Sequence, residues 1–272
     1  MAKAFPPEAP GDDLTEDGFL GGRLRLLQPR RGFRAGADSV MLAAAVPAQP
    51  GQRVLELGCG AGVASLCLGA RVPGLMLHAV ERQPEYAALA RQNAARCGIG
   101  LQVACADLTE IPPDFRIAFD HVLANPPFFA PGAGTSARDQ GREAALREDT
   151  PLSAWLDTAR RRLHPGGWLT LIHLAERLPD LLTALSPGFG SVTVLPIAAR
   201  QGRAAGRVIL RARKGGGAPF QLLAPFLMHA GARHLRDGSD LSPAAHAVLA
   251  GGEALSFTTN SAFRDRTDAG NS

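Results

Sequence analysis

Residues 53–62 read Arg-Val-Leu-Glu-Leu-Gly-Cys-Gly-Ala-Gly, and the order of these letters decides the fold. Arg53–Leu57 is a short apolar run, the pattern of a strand buried inside a parallel sheet. Three glycines at alternate positions then allow a sharp bend, where the backbone can closely approach whatever lies over the strand tip. Val63–Arg71 continues with helical spacing. A strand delivering a glycine bend into a helix opens an α/β unit, and open α/β sheets take ligands at the carboxyl ends of their strands.

The same alternation continues downstream. The spacing predicts a strand over Leu75–Val80, a helix over Pro84–Cys97 with Pro84 in the tolerated first turn, and strands over Leu101–Cys105 and Phe119–Ala124. Residues 130–151 read as a long polar loop. Leu152–Leu163 is amphipathic, and His164-Pro165-Gly166-Gly167 is expected to stop it. Trp168–Leu174 follows as a strand, Glu176–Leu185 as a helix, and Ser191–Ile197 and Gly206–Arg213 as two strands joined by a basic loop. Upstream, Gly21–Pro29 alternates like a strand or hairpin. Asp38 is placed to cap a short helix, Ser39–Val46, that Pro47 ends. The expected fold class is α/β: a doubly wound, mostly parallel seven-stranded sheet with an antiparallel C-terminal hairpin. Residues 1–17 are expected to form a flexible arm, 18–214 the main domain, and 215–272 an extension packed on that domain.

Composition narrows the setting. Of the 272 residues 46% are hydrophobic, enough for a proper core. Cys59, Cys67, Cys97 and Cys105 show no CxxC spacing, which argues against a zinc site or a disulfide framework and suits a reducing compartment. The N-terminal residues lack the basic start and apolar run of a signal peptide, and no apolar stretch reaches the roughly 18–20 residues of a membrane span. A cytoplasmic protein without a membrane partner is expected. The formal charge of +4 is compatible with a nucleic-acid partner and equally with a solvated, arginine-rich surface.

The strand tips carry the chemistry. A dinucleotide site needs G-x-G-x-x-G, but here the spacing is G-x-G-x-G and Val63 stands where the third glycine of that motif belongs. A tight turn without a phosphate cradle suits S-adenosylmethionine, which has no phosphate. Glu56, just before the bend, can face that cofactor's cationic amino group. Glu81, followed by Arg82, ends the second strand about 20 residues after the glycines, where a carboxylate accepts ribose hydroxyls. Asp107, after the third strand, can accept from the adenine amine, with Leu108 or Ile111 against the ring. Any one of these carboxylates alone reads as a solvated loop residue; the set carries weight because each ends a successive strand.

The fourth strand delivers Asn125-Pro126-Pro127-Phe128, followed by Phe129. Two prolines neither continue a helix nor pair within a central strand, so the segment is a rigid extended loop outside the sheet. An amine conjugated to an aromatic ring is a poor nucleophile. The Asn125 side-chain oxygen and the Pro126 carbonyl can both accept from such an NH2 group and aim the nitrogen lone pair. Phe128 can stack on the target base, an interaction worth roughly 1–3 kcal/mol. No cysteine follows a proline here, which excludes covalent attack on a pyrimidine C5. His121, inside the strand, reads as structural.

The stretches VLELGCGAG (54–62), the carboxylate at Glu81, Ala106-Asp107-Leu108 and Asn125–Phe128 occur in the order found in class I methyltransferases that modify exocyclic amines, and the chain resembles them. More narrowly, from about Leu20 to Leu255 it resembles the bacterial tRNA(Val) adenine-37 N6-methyltransferase family, on LGGRLRLLQPRRGFRAGADSVMLAAA (20–45), LANPPFF (123–129), LHPGGWLTLIHLAERL (163–178), GRVILRARKG (206–215) and APFQLL (218–223). The resemblance implies S-adenosylmethionine as methyl donor, S-adenosylhomocysteine as product, no metal, and tRNA and not DNA as partner. It also implies that Gly36-Ala37-Asp38-Ser39 closes over the methionine end of the cofactor. Related enzymes often carry Tyr where this chain has Phe128.

A nucleic acid would meet arginines. The basic loop runs Arg200-Gln201-Gly202-Arg203-Ala204-Ala205-Gly206-Arg207, extended by Arg211, Arg213 and Lys214. Arg34 precedes the cofactor-closing segment, and Arg138, Arg142 and Arg147 lie in the long loop. Arg160-Arg161-Arg162 reads as the exposed side of its helix. The rival readings are methylation of a protein glutamine amide and of guanine N2 in rRNA, both with similar amide or amine geometry. A nicotinamide oxidoreductase is disfavoured by Val63 and leaves Asn125–Phe128 unexplained, as does a non-enzymatic RNA-binding module.

Overall fold

The computed structural model describes residues 13–128, 150–185, 188–231 and 240–257. The 130–151 loop, with Arg138, Arg142 and Arg147, lies almost wholly outside them, as does Phe129. The chain begins with an antiparallel hairpin, β1 (Leu14–Phe19) and β2 (Leu24–Pro29), and helix α1 (Ala37–Ala45). Strand β1 thus takes in Leu14–Asp17, which the sequence reading had assigned to the arm.

From there strands and helices alternate: β3 (Arg53–Leu57), α2 (Val63–Arg71), β4 (Met76–Glu81), α3 (Pro84–Cys97), β5 (Leu101–Cys105), β6 (Phe119–Ala124), α4 (Leu152–Arg162), β7 (Leu163–Leu174) and α5 (Leu178–Leu185). The closing hairpin is β8 (Phe189–Ala198) and β9 (Ala205–Lys214), followed by two short strands, β10 (Gln221–Leu222) and β11 (Phe226–Leu227), and helix α6 (Pro243–Leu249). The main sheet runs β10-β8-β9-β7-β6-β3-β4-β5, with β11 also on β8. It has nine strands, not the expected seven: β10 and β11, from the C-terminal extension, each add two residues parallel to β8. The β3–β7 block is parallel throughout, and β9 runs antiparallel to both β7 and β8, as the expected hairpin requires.

The pleat of β3 divides the core. Val54 packs with α1 and α2 on one side, whereas Leu55 and Leu57 pack with Trp155 and Leu156 of α4 on the other. Chain order reverses between β3 and β6: β4 and β5 extend the sheet one way and β6 adds on the opposite side of β3. A crevice opens outside the carboxyl ends of the strands at such a switch point.

Two local readings change. Gly36, not Asp38, is the N-cap of α1, without a side-chain bond, and Asp38 lies in the first helical turn. The 163–167 segment does not end in a loop. It is the start of β7, where Leu163 pairs with Phe119 before a register shift restores pairing at Trp168 and His121. The Pro and Gly are absorbed by that irregularity, where a missing ladder hydrogen bond is tolerated.

Candidate active site

Strand register assembles the cleft. Leu57 pairs with Ala124 and with Val80, and Glu81 pairs with Cys105. The residues just past these pairs are Gly58, Asn125, Glu81 and the Ala106-Asp107 turn. All of them line one open cleft. Arg82, Leu108, Pro126, Pro127 and Phe128 also line it.

The bend is held from behind. Gly58 N and Cys59 N both donate to the Val80 carbonyl, at 2.8 and 3.2 Å. Gly58, Gly60 and Gly62 have φ of +65, +54 and +84°, a region that disfavours any side chain. At Gly58 there is no room either, since an added Cβ would lie 2.6 Å from the Trp155 ring. Gly62 does not line the cleft; it sits against Ala90 of α3 and permits close helix packing.

Glu81 Oε2 accepts from Gly60 N at 2.8 Å and Oε1 from Gln83 N at 2.9 Å. The carboxylate is thereby fixed at the cleft wall with lone pairs to spare. Asp107 Oδ1 accepts from Thr109 N and Oγ1 at 2.8 and 2.6 Å. Its pKa lies below the ordinary value: partial burial raises it, but the Thr109 hydrogen bonds and the Arg82 charge outweigh that. Glu56 behaves differently. The pleat turns it away from the cleft towards α2, where Oε2 accepts from Ser65 N at 2.9 Å and Ser65 Oγ at 2.5 Å. Complete burial pushes its pKa up to about 8. It anchors the first turn of α2 and is not among the cleft residues.

Asn125 and Trp155 each bring to the cleft a side-chain atom unsatisfied among the described residues. Asn125 Oδ1 is buried and has no hydrogen-bond partner among the described residues. Leaving a buried acceptor unpaired costs about 1–3 kcal/mol, so such an atom invites a donor from a ligand. Phe128 ends the loop, its carbonyl accepting from Arg177 Nη1 at 3.4 Å.

Several cleft residues escape a sequence reading. Phe33 comes from the strap before α1, Tyr86 from α3, and Trp155 and Thr150 from or near α4. Tyr86 Oη donates to the Phe33 carbonyl at 3.0 Å and ties strap to helix. Only the aromatic Phe33 beside the Gly36–Ser39 segment offered a signal. Gly36, Ala37 and Asp38 do not line the cleft. Ile111 is buried nearby, also outside the lining.

The basic residues are mostly engaged within the fold. Arg200 forms an ion pair with Asp240 and donates to the Ala230 carbonyl. Arg34 bonds Asp17 and Thr15, Lys214 the Leu163 carbonyl and Arg213 the Gly166 carbonyl. Arg211 donates to the Ala45 carbonyl beneath Phe257. Arg207 pairs with Asp38 at 3.0 Å. Arg203 is exposed in the 199–204 connection. His121 is buried within β6, 2.9 Å from Gln52 Oε1. Among the described residues no cluster of three or more His, Cys, Asp or Glu is arranged to hold a metal ion, and no helix is long and apolar enough to cross a membrane.

The chain is similar to several known methyltransferases. A tRNA1(Val) (adenine(37)-N6)-methyltransferase of Actinobacillus succinogenes is 30% identical over 199 residues, covering 71% of this chain and 82% of the relative. The counterpart from Yersinia enterocolitica is 32% identical over 135 residues, a match that spans about half of each chain (48% and 53%). A crystal structure described as a predicted O-methyltransferase of Agrobacterium tumefaciens superposes with a TM-score of 0.64 at 26% identity, covering 80% of this chain and 98% of that one. The family description "methyltransferase small domain" matches residues 35–200, more than half of the chain. The protein belongs to the methyltransferase small domain family.

Proposed function

We propose that this protein transfers a methyl group from S-adenosylmethionine to the exocyclic N6 amine of an adenine in tRNA, position 37 of a valine tRNA being the favoured target. The observation that carries the reading is the buried Asn125 Oδ1, without a partner among the described residues, one ladder step from the glycine bend. The names of the relatives at about 30% identity support the choice of tRNA.

The cleft fits the cofactor. Gly58 and Gly60 keep one wall free of side chains, the Glu81 carboxylate suits ribose hydroxyls, and Asp107 with Leu108 offers an acceptor and an apolar face for a purine. S-adenosylmethionine, held by these residues, would supply an electrophilic methyl group; the amine nitrogen gains the C–N bond as the S–CH3 bond breaks to a neutral thioether, and the nitrogen's surplus proton passes to solvent. The protein's own part is to present the nucleophile. Asn125 Oδ1 and the Pro126 carbonyl each accept one N–H of the target amine, fixing its plane and directing its lone pair. Phe128 provides a flat apolar surface for the base. The rigid Pro126-Pro127 pair keeps these groups in register, so catalysis rests on positioning and on dipoles fixed before the reaction begins. An enzyme with this substrate works in the cytoplasm.

The test is to incubate the protein with methyl-labelled cofactor and separate tRNA, rRNA and protein fractions. Label in tRNA, recovered as N6-methyladenosine after digestion to nucleosides, is expected. Label confined to rRNA guanine or to protein glutamine would overturn the substrate assignment. Mass spectrometry of valine tRNA from a strain lacking the gene gives the cellular counterpart.

A further inference from the structure

Arg207 stands on β9, paired across the ladder with Leu174 of β7 and Ile197 of β8. Its guanidinium carbon lies 4.7 Å from the centroid of the Phe128 ring, and its Nε donates to Asp38 Oδ2 at 3.0 Å. His173 of β7 meets the same ring edge-on, with centroids 5.5 Å apart and planes at 75°. Phe128 lines the cleft, whereas Arg207, His173 and Asp38 do not. The guanidinium thus backs the ring from outside the cleft.

We propose that Arg207 is a positioning residue for methyl transfer, holding Phe128 in the orientation that receives the target base and tying that ring through Asp38 to the first turn of α1. The inference rests on the base-methylating reading above. A planar guanidinium stacks on an aromatic face and keeps its edge free for a carboxylate, so one side chain can hold both partners. The ion pair with Asp38, about one-third exposed on each side, supplies geometry more than energy. His173 closes the arrangement from the edge. Its Nδ1 accepts from Leu174 N at 2.8 Å, and burial keeps the ring neutral, its pKa pushed down to about 4. An arginine held in this way has little freedom to reach RNA phosphates, the role that its place beside a basic loop suggests from sequence.

The test measures methyl transfer to an unmodified valine tRNA transcript over a range of salt concentrations, together with S-adenosylhomocysteine affinity by calorimetry. Arg207→Met is expected to lower kcat/KM for the tRNA about tenfold, the upper part of the cation–π range, while cofactor affinity stays within about twofold. The salt dependence of tRNA binding should be unchanged. In a Phe128→Leu background the same substitution should have almost no further effect, because the ring it positions is gone. Should Arg207→Met fold poorly, Arg207→Lys serves instead, with a loss of about threefold or more and an unchanged salt slope expected. Wild-type kcat/KM in either variant, a salt slope shallower by about 0.7 (the signature of one lost phosphate contact), or an equal loss in the Phe128→Leu background would overturn the inference alone. A wild-type enzyme that labels no tRNA would overturn the base-methylating reading and this inference with it.

Discussion

Asn125 and Glu56 show how two polar residues on adjacent strands acquire opposite duties. Asn125 follows the last residue of β6, so it leaves the ladder and enters the cleft with an acceptor unpaired among the described residues. Asn125→Ala should reduce kcat about 100-fold, the usual cost of removing one preorganised polar contact in a transition state, with S-adenosylhomocysteine affinity little changed. Single-turnover rates and calorimetry check both halves. Glu56 lies within β3 and is swallowed by the core. Its pKa is raised from 4.5 to about 8 by burial, so the folded state binds its proton more tightly than the unfolded chain. The stability this group contributes is complete below about pH 4.5 and disappears as pH rises to 8. His121 and His173 act in the opposite sense. Burial pushes each from 6.5 down to about 4, so their contribution is present above pH 6.5 and lost as pH falls through 4. Glu56→Gln should therefore flatten the decline in Tm between pH 6.5 and 8 and steepen the rise that the histidines give between pH 4.5 and 6.5, as thermal melts across pH would show.

At the level of elements, the glycine bend is built by what presses on it. Gly58→Ala adds a Cβ 2.6 Å from Trp155 at a φ of +65°, and the clash and the left-handed backbone together should cost on the order of 2 kcal/mol or more and weaken cofactor binding. Thermal melts and titration with S-adenosylhomocysteine test this. Asn93 of α3, fully buried, joins three elements: Oδ1 accepts from Leu27 N at 2.8 Å, and Nδ2 donates to the carbonyls of Leu27 and Ala61 at 2.9 and 3.0 Å. Asn93→Leu should cost about 3 kcal/mol by stranding those groups and should speed amide exchange across β1 and β2, measurable by hydrogen exchange. These dependencies explain what a sequence shows and what it hides. The glycine bend, Glu81, Asp107 and Asn125–Phe128 were legible because each is a local pattern at a strand tip. Tyr86 and Trp155 were not, because a helix contributes to a cleft only through its packing. The start of β7 was misread because Pro165, Gly166 and Gly167 look like a helix stop, yet here they occupy a bulge.

For the molecule as a whole, the alternating pattern was enough to place the parallel sheet and the antiparallel hairpin, since hydrophobic period and element order are properties of the chain itself. The extension beyond Lys214 was opaque because its strands are two residues long and exist only by pairing with β8. Basic charge was equally deceptive. Arg200, Arg211 and Lys214 find their partners 30 or more residues away in sequence, so none of those bonds could be anticipated locally. The extension also reaches α1, where Leu255 N donates to the Ala44 carbonyl at 2.8 Å and Phe257 lies 3.6 Å from the Arg211 guanidinium. Ending the chain after Lys214 removes Leu223, Val248 and Leu255 from the core, each worth about 1.5–3 kcal/mol, so differential scanning calorimetry should show a fall in Tm of more than about 10 °C or no cooperative transition.

The pairing of Leu57 with Ala124 has a lasting consequence. Because methyl donor and recipient are registered by two hydrogen-bonded neighbours in the middle of the molecule, the distance between them is insulated from changes at the periphery. Connections at the rim of the sheet, such as residues 199–204, can be lengthened, recharged or exchanged without retuning the chemistry. A scaffold of this kind can acquire a new target by altering its rim alone.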